Sequence, residues 1–323
     1  MKRLLVVLLV VVLLASFIGC STEDLLGGND QNVKSSPPID STTPTVESSY
    51  VTQEPSQMPG AILEDEKTLS PLEVHFLDVG QADCILIKTP LQKAILIDSG
   101  KNSHEDTVVS YIKSQGIDTI DVVVGTHPHE DHIGGLDAVI NSFDIDKIFM
   151  PKVAYTTKTF EDVLNAIKNK GLKVTTAFEG TNIEVDTNLK VEMLAPNSET
   201  YDDINNYSAV IKLSYNNTSF LFTGDAESIS EQEMTSRGYD LKADVLKVGH
   251  HGSATSTTAF FLNKVSPQYA IISVGKDNSY GHPDNLILNR FKNFGVEVFR
   301  TDEDGTIIAT SDGETIKFDK KEK

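Results

Sequence analysis

Tryptophan is missing from this sequence of 323 residues, and cysteine occurs only at Cys20 and Cys84. Because tryptophan is the best aromatic partner of quaternary ammonium groups, its absence argues against an aromatic cage that binds choline. Cys84 is the only cysteine after Cys20, so no disulfide is expected in the chain that follows Cys20. Since Cys84 lies in an apolar run, we predict that it is a small core residue rather than a nucleophile.

Positive charge is also scarce. The chain has 28 Lys and Arg against 47 Asp and Glu, a net charge of −19. From Pro71 onward the counts are 24 and 38, a balance of −14. A generic nucleic-acid binder carries a basic face, whereas an acidic surface repels polyanions at long range except where metal ions reverse the local field. The charge therefore weakens a nuclease interpretation without excluding it.

Only one long apolar run is present. It covers residues 4–18, follows Lys2 and Arg3, and precedes Gly19 and Cys20. A run of about 15 residues is short for a membrane-spanning helix, which needs roughly 20, so this order predicts a secretion signal over residues 1–19. A small residue directly before a lone Cys resembles a bacterial lipobox, although Phe17 is a less usual residue at its position. We expect acylation at Cys20, and two or more acyl chains would hold the protein at the outer face of the bacterial cytoplasmic membrane.

Residues 20–70 are rich in Ser, Thr, Pro and acidic residues and have neither a helical nor a strand period. They are predicted to form a disordered tether. A tail that binds peptidoglycan or a partner is the alternative, but no motif indicates it, and no feature of the chain indicates a protein partner.

Residues 71–319 are predicted to form the folded domain. Short apolar strands alternate there with amphipathic helices, which are expected at residues 105–115 and 161–170, and a hairpin is expected across Asn216 and Asn217. Many strands with interspersed helices favour two packed sheets flanked by helices.

A cluster of metal-binding residue types lies in the segment from His127 to His132, which reads His-Pro-His-Glu-Asp-His. It follows an apolar run, residues 120–126, that is predicted to be a buried strand, and a helix is expected to begin near Ile133. Imidazole and carboxylate groups suit zinc, manganese or iron(II). A solvated surface loop is the alternative, but six of the eight His residues fall in three short segments, around His127, His250 and His282, which favours a metal site.

These segments carry a family resemblance. Residues 126–135 are similar to the HxHxDH signature of the metallo-β-lactamase superfamily. Five further segments resemble, in order, motifs of the hydrolase domain of ComEC-type competence proteins, and the similarity extends from about Leu72 to Lys317. The segments are 76–83, 95–100, 221–225, 246–253 and 280–283. The resemblance implies an α/β (α+β) fold with four layers, an αββα sandwich.

The resemblance also implies two divalent metal ions, zinc or manganese. It assigns one ion to His127 and His129, the other to Asp131 and His132, and a bridging position to Asp225. His250 or His251 should complete the second site; we expect His250 to be the ligand, with His251 and Ser253 facing the substrate.

One departure from the pattern concerns the first ion. Many relatives carry another His before the segment 221–225, whereas no His lies between His132 and His250 in this chain. The first site is therefore expected to bind its ion less tightly, or to use Asn206 or a water as a substitute. Asn206 and Ser208 are also candidates for contact with the substrate.

Four residues are candidates for catalysis: Asp131, Lys247, His251 and His282. Lys247, His251 and His282 could stabilise negative charge on phosphate oxygens, and His282 could protonate the leaving group. Asp98, at a strand end, is expected to orient a ligand His without contacting metal.

The leading hypothesis is a metal-dependent phosphodiesterase or nuclease that acts outside the cell, with DNA as a possible substrate. An esterase for phosphorylcholine or teichoic-acid phosphodiesters is the alternative within enzymes, and a β-lactam hydrolase is disfavoured because the motif set differs. A module of another class would hold DNA for uptake without catalysis. The complete set of His127, His129, Asp131, His132 and Asp225 disfavours such a module.

Overall fold

A computed structural model describes residues 69–321 of the chain. The predicted secretion signal, Cys20 and nearly all of the predicted tether lie outside the described residues. None of the described helices combines the length and the hydropathy of a membrane-spanning segment.

The described part contains fourteen strands in two sheets. Their bounds are β1 Leu72–Phe76, β2 Ile85–Lys88, β3 Ala94–Ile97, β4 Thr119–Val124, β5 Asp144–Met150, β6 Val174–Thr176, β7 Leu189–Ala195, β8 Val210–Tyr215, β9 Thr218–Phe222, β10 Val245–Lys247, β11 Tyr269–Ile272, β12 Glu297–Arg300, β13 Thr306–Ser311 and β14 Ile316–Lys321.

Eight α-helices alternate with these strands in the described part. They are α1 Glu105–Ser114, α2 Glu130–Ile133, α3 Leu136–Ser142, α4 Lys158–Asn169, α5 Ser228–Ser236, α6 Ala259–Val265, α7 Asn285–Phe294 and α8 Thr301–Asp304.

The first sheet has the order β14-β13-β1-β2-β3-β4-β5-β6, and the second has the order β12-β11-β10-β9-β8-β7. Strands β3 to β6 run parallel to one another, as do β9 to β12, while the other neighbours are antiparallel. Each sheet therefore has a parallel half, and parallel strands need helical crossovers that cover their outer face.

Three apolar cores separate four layers. Residues from both sheets, such as Phe76 and Phe222, pack in the central core. A second core lies between the first sheet and α1, α3 and α4, and a third lies between the second sheet and α5, α6 and α7. In β3, Ile95 and Ile97 belong to the central core and Leu96 to the helical side, so both faces of the strand are covered. The predicted αββα sandwich is confirmed.

The two parallel halves bring several strand ends to one edge of the sandwich. Asp98 and the His127–His132 segment follow neighbouring strands β3 and β4, whose register pairs Ile97 with Val124. Asp225 and the His250–His251 pair follow β9 and β10, whose register pairs Phe222 with Lys247. Loops at the carboxyl ends of parallel strands emerge together, and this edge holds the ligand-type side chains.

Candidate metal centre

His132 sits at the middle of the centre, and its two ring nitrogens have different partners. Nδ1 donates to Asp98 Oδ2 at 2.7 Å, which leaves Nε2 free for the centre. Asp98 also accepts from the backbone N–H and the hydroxyl of Thr126, at 2.8 and 2.7 Å. Such a carboxylate fixes both the tautomer and the orientation of a ligand His, as expected for Asp98.

Asp225 reaches the same point from the second sheet. Its Oδ1 lies 3.2 Å from His132 Nε2, and its Oδ2 lies 3.8 Å from His127 Nε2. The backbone N–H of Asp225 donates to Ser208 Oγ at 3.1 Å. Gly224 before it has a φ of +51°, and a Cβ there would lie 3.1 Å from Thr126, so glycine permits the close approach of the two loops.

His129 and Asp131 complete the side that the first loop contributes. His129 Nδ1 lies 3.0 Å from His127 Nε2, and its ring packs edge-on against Tyr155. Asp131 Oδ2 lies 3.4 Å from His251 Nε2. The structure therefore brings together five of the predicted metal ligands: His127, His129, Asp131, His132 and Asp225.

Of the two His residues that follow β10, His251 rather than His250 directs its ring into the centre. His251 is buried, donates from Nδ1 to the carbonyl of Ser273 at 2.9 Å, and turns Nε2 towards Asp131 and Asp225. His250 lies at the rim, with its Nδ1 3.3 Å from Glu227 and its Nε2 3.7 Å from Asp225 Oδ2. Both residues adopt left-handed backbone conformations, with φ values of 48° and 53°, so their side chains diverge. The geometry does not support the expected choice of His250, and we propose His251 as the ligand.

Two overlapping sets of ligand atoms follow, each with its atoms within 4.8 Å of one another: His127, His132 and Asp225 in one, and Asp131, His132 and His251 in the other. A third set, Asp83, Asp98 and His132, involves the Nδ1 side of His132 that Asp98 already occupies.

The buried ligand atoms fit divalent ions. His132 Nε2, Asp225 Oδ1 and His251 Nε2 are buried without a hydrogen-bond partner. Unpaired buried polar atoms are costly, and a cation between them would remove that cost. Mixed imidazole and carboxylate donors suit zinc, manganese or iron(II). The two sets share His132, and with the neighbouring His129 they supply six ligand residues, enough for two ions.

The electrostatics separate four His residues of the centre into two pairs. Burial, followed by the neighbouring His132, holds the pKa of His127 well below its usual value, and burial also lowers the pKa of His129. Burial opposes protonation of His132 and His251 too, but Asp225 and other carboxylates outweigh it, raising the pKa of His132 well above normal and that of His251 to about 10. Without cations the carboxylates retain protons on these rings, so metal binding must release protons.

A cavity of about 300 Å³ opens over the centre. Its walls include His129, Asp131, Asp225 and His251 on the ligand side, and His250, Tyr280 and His282 on the other. His282 is half-buried, and burial together with His250 and His251 lowers its pKa. The expectation that His282 faces substrate agrees with this position.

Lys247 does not face the cavity. Its side chain is fully buried, its Nζ lies 2.7 Å from Asp83 Oδ2, and it donates to the carbonyl of Val248 at 2.8 Å. It cannot touch a phosphate without leaving these partners, so the expected direct role in charge stabilisation is not supported.

The expected substrate contacts of Asn206, Ser208 and Ser253 are not supported either. Asn206 Oδ1 accepts from the backbone N–H groups of Glu227 and Ser230 at the start of α5. Ser208 supports Asp225, and Ser253 pairs with Thr255 at 2.9 Å. These three buried side chains brace the loops that carry the ligands.

Sequence reasoning missed Asp83. Its Oδ1 lies 3.4 Å from His251 Nδ1, and its backbone N–H donates to the carbonyl of Asp131 at 3.0 Å. Lys247, followed by His251, holds the pKa of Asp83 down to about 2 against its complete burial. An acidic residue directly before the apolar run 84–87 was the available signal, since such a position buries a charge that needs a partner.

Comparison with known proteins gives consistent matches. The sequence profile of the metallo-beta-lactamase superfamily matches residues 77–276. ComE operon protein 3 of Bacillus subtilis (strain 168) is 32% identical over 252 residues, covering 73% of this chain and 32% of that protein. Competence protein ComA of Neisseria gonorrhoeae is 29% identical over 254 residues, covering 78% of this chain and 33% of that protein. The chain thus spans about a third of the length of these relatives. The metallo-beta-lactamase fold protein YhfI from Bacillus subtilis aligns with a TM-score of 0.47 at 13% identity, covering 77% of this chain and all of that chain.

Proposed function

Because this chain belongs to the metallo-beta-lactamase superfamily of metal-dependent hydrolases and is related to competence proteins, we propose that it hydrolyses phosphodiesters, with nucleic acid as the substrate. The observation that supports this most directly is the pair of ligand sets that share His132, one of which includes Asp225 while His251 of the other lies 3.8 Å from Asp225 Oδ1. Two adjacent divalent ions, when bound, supply an activated water and positive charge opposite the phosphate oxygens.

The protein's own residues divide the remaining work. His127, His129 and Asp225 would hold one ion, and Asp131, His132 and His251 the other. Asp98 and the carbonyl of Ser273 keep the rings of His132 and His251, respectively, in orientation from behind. The cavity is open to solvent on the other side, so that water and a phosphodiester can both enter.

His282 is the candidate for handling a proton at the leaving oxygen. Because its pKa is lowered, its ring is neutral near pH 7 and presents one N–H donor and one acceptor nitrogen. It faces the ligand side from across the cavity, where it can hydrogen-bond to a phosphate oxygen or to the departing hydroxyl.

The test uses the full chain loaded with zinc, with manganese or with no metal, assayed on single-stranded DNA, duplex DNA, bis-p-nitrophenyl phosphate and a choline phosphodiester. His132→Ala and Asp225→Asn should each lower the metal content and reduce hydrolysis by at least about 100-fold. His104→Ala, a His outside the centre, is the control and should keep both. Full activity without metal, or no hydrolysis of any phosphodiester, would refute the proposal.

We also propose that the enzyme acts outside the cell, tethered through Cys20. The order of Lys2-Arg3, an apolar run and Gly19-Cys20 supports this. Cys20→Ser should abolish incorporation of labelled lipid in the producing bacterium. Equal labelling of the variant, or retention of residues 1–19 in the mature protein, would rule the anchor out.

A further inference from the structure

The outer wall of the cavity carries an exposed aromatic ring. Tyr280 is 67% exposed, and its ring lies nearly parallel to that of His282, with 5.9 Å between the centroids and 16° between the planes. His282 in turn lies 5.8 Å from His250. One face of Tyr280 is therefore directed towards an imidazole, and its exposure leaves ring surface open to solvent beside the ligand residues.

The loop that carries Tyr280 is held in place by its own hydrogen bonds. Asn278 Nδ2 donates to the carbonyls of Gly275 and His282, at 3.0 and 2.6 Å. Asn278 Oδ1 accepts from the backbone N–H groups of Tyr280 and His282, at 3.2 and 3.0 Å. Gly275 donates to Gln81 Oε1 at 3.0 Å, which joins this loop to the loop after β1. A ring presented from such a loop loses little freedom when a ligand packs on it.

The charge of the cavity favours an uncharged mode of attraction. None of its described wall residues is Lys or Arg, and the chain from Pro71 onward has a balance of −14. Long-range attraction cannot collect a polyanion here, apart from the bound ions. Stacking of a base on an aromatic ring needs no positive charge and accepts any base, since each has a flat face.

We propose that Tyr280 is a stacking platform for the nucleobase beside the scissile phosphodiester, so that the substrate class is single-stranded nucleic acid. The proposal rests on the proposed function of the same cavity. In a duplex both faces of a base are covered by its neighbours, and only an unpaired or splayed base can lie on the ring. A quaternary ammonium group would need several aromatic faces, and Tyr280 is the one wall residue besides the His rings that offers such a face among those described.

The kinetic test compares short single-stranded oligonucleotides that have, or lack, the base beside the cleaved linkage. Tyr280→Ala should raise KM for the intact strand roughly tenfold or more with little change in kcat, because stacking acts on binding. Tyr280→Phe keeps the flat ring and should behave like the unsubstituted protein. On the abasic strand, Tyr280→Ala and the unsubstituted protein should have the same KM. Phe260→Ala, which removes an aromatic residue of similar exposure on α6, is the matched control and should change KM for neither substrate.

A binding test separates this proposal from the proposed function. Because the chain has no tryptophan, Tyr280→Trp introduces a single indole reporter. Its fluorescence should be quenched by an intact strand with uncleavable methylphosphonate linkages and not by the abasic strand. Phe260→Trp places the reporter elsewhere and should not respond.

Three outcomes would overturn the stacking role while leaving phosphodiester hydrolysis intact. The first is an equal rise in KM for Tyr280→Ala on the intact and the abasic strand. The second is no quenching of the Tyr280→Trp fluorescence by the intact strand, and the third is an effect of Tyr280→Ala confined to a choline phosphodiester. Quenching without hydrolysis by the unsubstituted protein would instead support the platform and refute the proposed function.

Discussion

Among the individual residues, Lys247 departs most from expectation. It lies inside the protein with its ammonium group between Asp83 and a backbone carbonyl. Asp83 also lies against His251, so the lysine acts on the centre through two other side chains. A buried ion pair adds little net stability, but removing one partner leaves the other charge buried and unpaired.

Lys247→Met should therefore destabilise the protein by about 3–5 kcal/mol, measured by urea unfolding, because Asp83 loses its counter-charge in a buried position. Combining it with Asp83→Asn should restore part of the loss, since the uncompensated charge is then gone. Lys212→Met is the control: Lys212 pairs with Asp240, which is 80% exposed and can return to water, so the cost should stay below about 1 kcal/mol. An equal loss of unfolding free energy in Lys247→Met and Lys212→Met would contradict this account.

At the level of helices and strands, local sequence patterns located the elements well. The helices predicted at 105–115 and 161–170 correspond to Glu105–Ser114 and Lys158–Asn169, and the hairpin turns at Asn216 and Asn217 as predicted. The ligand loop leaves a buried strand and enters a helix, although that helix begins at Glu130 rather than near Ile133. Apolar periodicity and turn residues are local signals, and these elements depend on little else.

The side-chain directions could not be read from the same patterns. The choice between His250 and His251 depends on two successive left-handed residues, which no local pattern indicates. Asn206 and Lys247 are polar, and their burial is decided by the N–H groups of α5 and by Asp83, both distant in sequence. Family resemblance supplied the ligand positions but not these supporting contacts.

Glu231 links helices α5 and α6, which cover the second sheet. Its ionisation is expected to make the stability of the protein depend on pH. From within α5 it accepts from the backbone N–H groups of Thr257 and Thr258 at the start of α6. Burial raises its pKa to about 7, against the opposing effect of those N–H donors and of Arg290. The folded state thus holds this proton more tightly than the unfolded chain, whose pKa is the ordinary 4.5.

Stability contributed by Glu231 should fall as pH rises from about 4.5 to about 7 and stay level above that, because the folded state must lose a proton that the unfolded state has already lost. Glu231→Gln does not titrate. The difference in unfolding free energy, unsubstituted protein minus variant, should therefore decline by up to about 3 kcal/mol across this range, measured by urea unfolding at several pH values. Parallel pH profiles for the two proteins would show that the carboxyl is not the source.

At the scale of the whole molecule, the chemistry depends on contacts between distant parts of the chain. Asp83 and His127 come from loops of the first sheet, and Asp225 and His251 from loops of the second. The central core that includes Phe76 and Phe222 sets the spacing between the sheets, and hence between these ligands. The fold supplies the site, while the negative surface around it limits how a polyanion can approach.

This charge distribution predicts an unusual response to salt. Proteins that neutralise six to ten phosphates lose about 10³ to 10⁵ in affinity between 50 and 200 mM salt, because each contact releases counterions. Here Lys247 is buried, and of the two cations in the groove beside His282 Arg300 is paired with Asp302 and Glu303, which leaves Lys276, so few side-chain cations can take part. The metal-loaded enzyme should therefore show less than about a tenfold change in kcat/KM on a single-stranded oligonucleotide over that range, and screening of the acidic surface could even increase it. A fall of 10³ or more would mean that a basic binding face exists and that stacking and metal ions are not the main source of affinity.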